Sequence, residues 1–308
     1  MDIPPTTQSL SNAASLAFKE IGRFKWLVII GFLLSAGVSI LIAVNQPNIY
    51  TAKMIVVPSK SKDSGGLSKL AGQFGGLASM AGISLGSSGD QTAAAIEFMK
   101  SRNFLHNFIE KRELLPYLLA LEGWDRVTRK PIFNIEIYDS NTKTWTRTPA
   151  PGKNQIPTPW EGYDALVPKI TLANSDKKGI VEIKVSSLSP DLSQNIANWL
   201  IEDINLFWKE QDKIQADQAI SYLEKKANET TVAELRTMFY ELIAEQTRTK
   251  LVSAASDDYL FKALAPAFYP EEKSGPSRAL ICIAITMLGG LMSLILAFIL
   301  ALKTRGQK

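Results

Sequence analysis

The sequence predicts an α+β chain in which two membrane-spanning helices flank an outer domain with a small mixed sheet and long helices. Three observations predict it. Two long stretches lack any charge, Trp26 to Val44 and Ala279 to Leu302. At 1.5 Å per residue they reach about 29 and 36 Å, enough for a hydrocarbon core of about 30 Å. Between them, apolar residues alternate with period two in some segments and recur every three or four residues in others. The 308 residues are 46% hydrophobic and 21% charged, which looks like a soluble protein only because these stretches are averaged with a polar middle. A soluble enzyme, a disordered chain and a disulfide-stapled domain are excluded.

The organisation follows: 1–25 a cytoplasmic tail, 26–44 the first span, 45–278 the outer α+β domain with extended helices at about 190–250, 279–302 the second span, and 303–308 a second cytoplasmic tail. The tails carry an excess of four positive charges, which equals the net charge of the whole chain, so the middle is neutral. A basic balance often signals nucleic acid. Here it belongs to short tails beside a membrane, and nucleic-acid binding is rejected. Long loops translocate largely regardless of charge. Arg23, Lys25, Lys303 and Arg305, close to the spans, therefore place both termini in the cytoplasm and the domain in the periplasm. The first span lacks an Ala-x-Ala exit and reads as an uncleaved signal anchor.

Ile49 to Pro58 is β-branched and ends at proline, a strand leaving the first span. Residues 67–89 are rich in glycine, with Leu67, Leu70, Phe74, Leu77, Met80 and Ile83 at helical spacing. Each glycine weakens such a helix by about 1 kcal/mol relative to alanine. Residues 92–112 predict a firmer helix with Ile96, Met99, Phe104, Leu105 and Phe108 on its apolar side, and Leu114 to Leu121 a short apolar segment. Ile132 to Tyr138, Val167 to Leu172 and Ile180 to Ser186 alternate with period two and predict strands of one sheet. The prolines of 139–166, a stretch holding Trp145 and Trp160, keep it out of the sheet interior.

Ser189-Pro190-Asp191 is a helix start, with serine as cap, proline in the first turn and an acid at the positive end of the dipole. The stripe Leu192, Ile196, Leu200, Ile204, Phe207 carries that helix to about Asn228. Thr231 and Glu234 have capping-box spacing for a second helix. A short helix is expected around Asp257 to Leu264. Pro266, Pro270 and Pro276 then hold an extended approach to the second span, at whose boundary Arg278 can keep its charge among the headgroups.

Motifs for chemistry are sparse. Gly82-Ile83-Ser84-Leu85-Gly86 matches a nucleophile elbow, but its surroundings are glycine- and serine-rich and His106 is the only histidine in the chain. No GxxxxGK[S/T] stretch occurs, and the only cysteine, Cys282, falls in the second span. Asn228-Glu229-Thr230 is a sequon expected by chance. No catalytic, cofactor-binding or metal-binding residue is expected, and no cofactor. The spans say more. Gly31, Ser35, Ser39 and Ala43 recur every four residues in the first, and Cys282, Thr286, Gly289, Ser293 and Ala297 recur at three or four in the second. Small residues at that spacing let helix backbones approach closely in lipid, between the spans or between subunits.

Several stretches carry a family resemblance: Tyr50 to Ala52 just beyond the first span, AIEFMKSRNFLHNFIEKRELLP at 95–116, LSPDLSQNIANWLIEDIN at 188–205, AISYLE at 219–224, and DYLFKALAPAFYPEEKSGPSRALICIAITMLGG at 258–290. In order and spacing they resemble the Wzz-type chain-length determinants, or polysaccharide co-polymerases. The resemblance implies a bacterial inner-membrane protein that is not an enzyme and assembles as a ring-shaped homo-oligomer. It would set the modal length of O-antigen or a related lipid-linked glycan, with a Wzy-type polymerase and the growing glycan as partners. Two other readings stay open. One is an exopolysaccharide or capsule export partner of a separate tyrosine kinase, since no kinase follows the second span. The other is a transmembrane sensor, for which the tails look too short.

Overall fold

The structure, a computed structural model, describes residues 25–59, 88–175 and 179–305. The glycine-rich stretch with its GxSxG match and the basic residues before Lys25 lie outside them. In chain order the elements are α1 (Lys25–Asn45), β1 (Tyr50–Pro58), α2 (Ser88–Lys100), α3 (Arg102–Lys111), α4 (Leu115–Leu119), β2 (Leu121–Asp125), β3 (Lys130–Phe133), β4 (Tyr138–Asp139), β5 (Thr144–Trp145), α5 (Pro159–Leu166), β6 (Ile170–Ser175), β7 (Ile180–Ser187), α6 (Pro190–Glu229), α7 (Ala233–Ala255), β8 (Phe261–Ala265) and α8 (Arg278–Arg305). The chain divides into two compact units: residues 1–48 with 273–308, and residues 49–272.

In the second unit a four-stranded sheet runs in the order β6-β7-β1-β8. The small mixed sheet suggested by the sequence is, in all three pairings described here, antiparallel. Register follows from the pleat. Tyr50, Ala52, Met54 and Val56 of β1 lie opposite Ser187, Val185, Ile183 and Val181 of β7, and all eight are buried. A one-residue slip would carry this entire set to the other face, so burial specifies the pairing. The N-terminal half of α6 lays Leu192, Ile196, Leu200 and Ile204 into the same core, joined by Ile96 and Met99 of α2 and Phe104, Leu105, Phe108 and Ile109 of α3.

The start of α6 is as expected: the Ser189 hydroxyl accepts a hydrogen bond from the Leu192 N–H at 3.2 Å. The helix has 40 residues, about 60 Å. From there the structure differs from the sequence expectations in several places. The single helix at 92–112 is two, because Ser101 stops α2 and caps α3, its hydroxyl accepting from Phe104 N–H at 3.3 Å. Ile132 to Tyr138 is not a strand of the main sheet. Asn134 breaks it: its side chain accepts from Glu136 N–H at 2.8 Å and its carbonyl from Ile137 and Tyr138 N–H, leaving two small hairpins, β2-β3 and β4-β5. Val167 to Lys169 forms a 3₁₀ turn, and the strand begins at Ile170. The Pro-rich excursion contains an unexpected helix, α5, with Pro159 in its first turn. Thr231 caps nothing; α7 begins after Val232 without a side-chain cap bond.

The largest correction is at 257–264, where a strand, β8, replaces the expected helix. The buried Asn205 of α6 decides it. Its Oδ1 accepts from Leu260 N–H at 3.0 Å and Phe261 N–H at 2.8 Å, and its Nδ2 donates to the Phe261 carbonyl at 2.8 Å. With those groups engaged the backbone cannot make the i to i−4 bonds of a helix. Phe261 is fully buried and pairs with Pro58 of β1.

Candidate functional site

In the first unit α1 and α8 pack through the residues of the two stripes. A Cβ added at Gly31 would lie 2.6 Å from the Ser293 Cβ, and one added at Gly289 would overlap the Ser35 Cβ. Ser39 Oγ is 3.3 Å from Thr286 Oγ1, and Cys282 Sγ faces the Ser39 carbonyl at 3.8 Å. Ser39, Ala43, Ser293 and Ala297 are buried in this pair. The contacts run antiparallel, Gly31 with Ser293, Ser35 with Gly289, Ser39 with Thr286. Positions 31 and 289 favour glycine because the Ser293 and Ser35 side chains of the facing helix occupy the space a Cβ would need. Both helices are long and apolar enough to cross a membrane.

The proline residues divide between the units. Pro276 and Arg278 belong with the helix pair, where Arg278 Nη2 donates to the Gln46 carbonyl and to Asn48 Oδ1, each at 3.3 Å. Pro266 and Pro270 belong with the sheet unit, and their segment is fastened there. Gln194 of α6 donates to the Ala267 carbonyl at 2.9 Å, Phe268 N–H reaches the Lys53 carbonyl of β1 at 3.4 Å, and Arg126 donates to the Glu271 carbonyl at 3.0 Å. Residues 266–271 are therefore a strap bound to three elements. Proline suits this role, since it fixes φ while donating no hydrogen bond of its own.

The strap, through Tyr269, Pro270 and Glu271, forms one wall of a cleft of about 360 Å³ that is also lined by Tyr50, Trp124, Arg126, Arg129 and Pro190. The arginines stand on the turn joining β2 to β3. Asp125 shapes that turn: its carboxylate accepts from Val127 N–H at 2.9 Å and the Thr128 hydroxyl at 2.6 Å. Those bonds hold its carboxyl below the usual range, the Thr128 hydroxyl contributing most. Arg129 has φ of 51° and sits 6.0 Å over the Tyr269 ring. Sequence reading missed this cleft because its walls come from residues 50, 124–129, 190 and 269–271, with no local spacing to reveal them.

Elsewhere charge is committed to structure. Arg112 grips the buried Asp203 through two bonds, 2.7 and 3.1 Å, and Lys111 adds a third at 2.6 Å. Donating to the Asp203 carboxylate raises the Arg112 pKa. Arg147 makes a two-pronged pair with Glu161 at 2.7 and 2.8 Å, and with Lys153 and Thr158 N–H it draws the Glu161 carboxyl down to about 2. Burial, and then a hydrogen bond to Asp212, push the Tyr259 hydroxyl up. His106 is half exposed beside Glu110 at 3.6 Å. Among the described residues no group of three or more His, Cys, Asp or Glu could hold a metal ion.

Residues 17–112 match the family model described as Wzz, chain length determinant protein. Over that segment the chain is similar to the Wzz family. The Wzz segment takes in α1, β1, α2 and α3, thus the first long apolar helix, the central strand of the sheet and the helices that pack its core. No curated protein matches the sequence. Among solved structures, a full-length bacterial polysaccharide co-polymerase is 11% identical, covering 94% of this chain and 98% of its own, with a TM-score of 0.45. A fragment of WzzB, the polysaccharide co-polymerase from Salmonella Typhimurium, is 12% identical, covering 74% of this chain and all of its own, with a TM-score of 0.32. The similarity to the family model is confined to residues 17–112.

Proposed function

We propose that this chain is a non-enzymatic regulator of polysaccharide chain length, acting on O-antigen or a related lipid-linked glycan with a Wzy-type polymerase. The observation that carries the reading is the Wzz match over residues 17–112. On this reading α1 and α8 cross the bacterial inner membrane, both termini are cytoplasmic, and residues 49–272 are periplasmic. The protein works as a homo-oligomer that contacts the polymerase and the growing glycan. Gly31, Ser35, Ser39 and Ala43 pack against Thr286, Gly289, Ser293 and Ala297 within the bilayer, where close approach of small residues substitutes for the hydrophobic effect. Pro266, Pro270, Pro276 and Arg278 form a stiff path from the domain to the second span.

Deleting the gene and resolving the surface polysaccharide on a gel tests the reading: the modal length should be lost, and return with the wild-type gene. An unchanged length distribution would overturn it. For topology, a periplasm-dependent reporter inserted near Asn174 should be active and one fused after Lys308 silent; the opposite pattern reverses the orientation. Replacing Pro270 and Pro276 with alanine should shift or broaden the modal length at normal abundance and oligomeric state.

A further inference from the structure

The geometry points to the cleft between the strap and the β2–β3 turn as a binding site for a sugar residue of the glycan. This rests on the chain-length reading above and assigns it a contact. The lining has the composition that a sugar ring requires. Trp124 and Tyr269 are half-buried aromatic faces, against which the C–H face of a pyranose can lie. Arg126 and Arg129 are exposed residues of the same lining, as is Glu271; Arg126 spends one N–H on the Glu271 carbonyl and Arg129 lies over Tyr269, which leaves their other N–H groups for a ligand. Donors, an acidic residue and two aromatic side chains thus line one cleft, matching a sugar whose hydroxyl groups both donate and accept. With two cations and one carboxylate the lining is only mildly positive, so a neutral or weakly acidic saccharide suits it better than a free phosphate. The volume of about 360 Å³ lies at the small end of ligand clefts, which run from about 300 to 1,000 Å³.

The site is also pre-arranged. Arg126 fixes the strap through the Glu271 carbonyl at 3.0 Å, which sets Tyr269 opposite the turn. Asp125 freezes the turn through Val127 and Thr128. Arg129 occupies a left-handed backbone conformation that glycine or asparagine would adopt at less cost. From that position the Arg129 side chain reaches over Tyr269.

The test uses the full-length protein in detergent and titration calorimetry. The probes are a short oligosaccharide released by mild acid from the host polysaccharide, maltohexaose, and inorganic pyrophosphate. The host oligosaccharide should bind saturably, while Trp124→Ala and Tyr269→Ala each weaken it about tenfold, the scale of one lost aromatic contact. Arg129→Gly is the sharper variant. Its backbone suits the turn, so its melting temperature should equal or exceed the wild type while affinity falls by about three- to tenfold. Absence of saturable binding by any saccharide overturns the proposal, as does wild-type affinity in all three variants. Pyrophosphate binding as tightly as the oligosaccharide would make this an anion site instead. If the wild-type gene restores modal length but no saccharide binds, the cleft assignment fails alone. If modal length is independent of the gene, the reading beneath it fails.

Discussion

The two packed units follow opposite rules. Where α1 meets α8, the contact residues are among the smallest available: Gly31, Ser35, Ser39, Gly289, Ser293 and Ala297. Where the sheet meets α6, they are Val56, Ile183, Leu200, Ile204 and Phe261. Both interfaces are tight, but different forces close them. In water, association of apolar faces gains about 25 cal/mol per Å² removed from solvent, so large side chains are favoured. Between lipid-facing helices that gain is absent, and dispersion and short polar contacts reward close backbone approach. The large apolar residues of α1 and α8 accordingly point outward: Leu33, Leu34, Leu41, Met287 and Leu288 are all more than 60% exposed. The same side chain therefore has opposite value in the two units.

The contrast can be broken most strongly in the sheet unit by deletion. Phe261→Ala should cost about 3–5 kcal/mol, the range for emptying a fully buried aromatic site, read as a lower thermal midpoint in detergent. The helix pair should respond to addition instead. Gly289→Ala forces a methyl group onto Ser35 and should cost about 1–3 kcal/mol of helix association. Oxidative cross-linking of Phe32→Cys with Gly290→Cys, in a Cys282→Ser background, should become slower, while the thermal midpoint of the sheet unit stays unchanged. Equal sensitivity of both units to both changes would erase the comparison.

Charge provides a smaller test, on the sheet unit alone. The Glu161 carboxyl is depressed to about 2 from 4.5. Its contribution is complete above about pH 4.5 and disappears as pH falls toward 2, because protonation releases Arg147. With its side chain 13% exposed and solvent screening allowed for, about 1–2 kcal/mol is expected. Acid titration of Glu161→Gln should lack this component, and an identical acid transition in wild type and variant would remove the pair from the account. The smallest effect belongs to the polar contact in the helix pair. Ser39→Ala removes the approach to Thr286 and should cost about 0.6 kcal/mol, with the cross-linking rate slightly lowered.

The features legible in the sequence are those whose causes lie within a few residues. Ser189 and Pro190 announce α6, and the alternation of β7 announces its buried face. The four-residue recurrence of Gly31, Ser35, Ser39 and Ala43 marks one side of α1, which is the side that meets α8. Features set by distant partners were hidden. Residues 257–264 have no local reason to be a strand; Asn205 and β1, some 55 and 200 positions away, impose it. Asn134 could have warned of the break in Ile132 to Tyr138, since its side chain competes for backbone donors. The cleft between strap and turn had no such warning, because no two of its walls are neighbours in the chain.

The central position of β1 has a consequence for the timing of synthesis. β1 is the first of the described strands to be translated, yet one of its edges is closed only by β8, with Ile55 opposite Ala265. Until residues 261–265 have been made, that edge presents unpaired amide and carbonyl groups, the template on which strands of other chains can add. Asn205 is equally incomplete until Leu260 and Phe261 arrive to take its side chain. A nascent chain that has already passed through α6 and α7 is still open along its sheet. Slow, long-range closure of this kind exposes a folding protein to misassembly. The strand that seals it is followed within thirteen residues by the helix that begins at Arg278. Completion of the fold and emergence of the second long apolar helix are therefore nearly the same event.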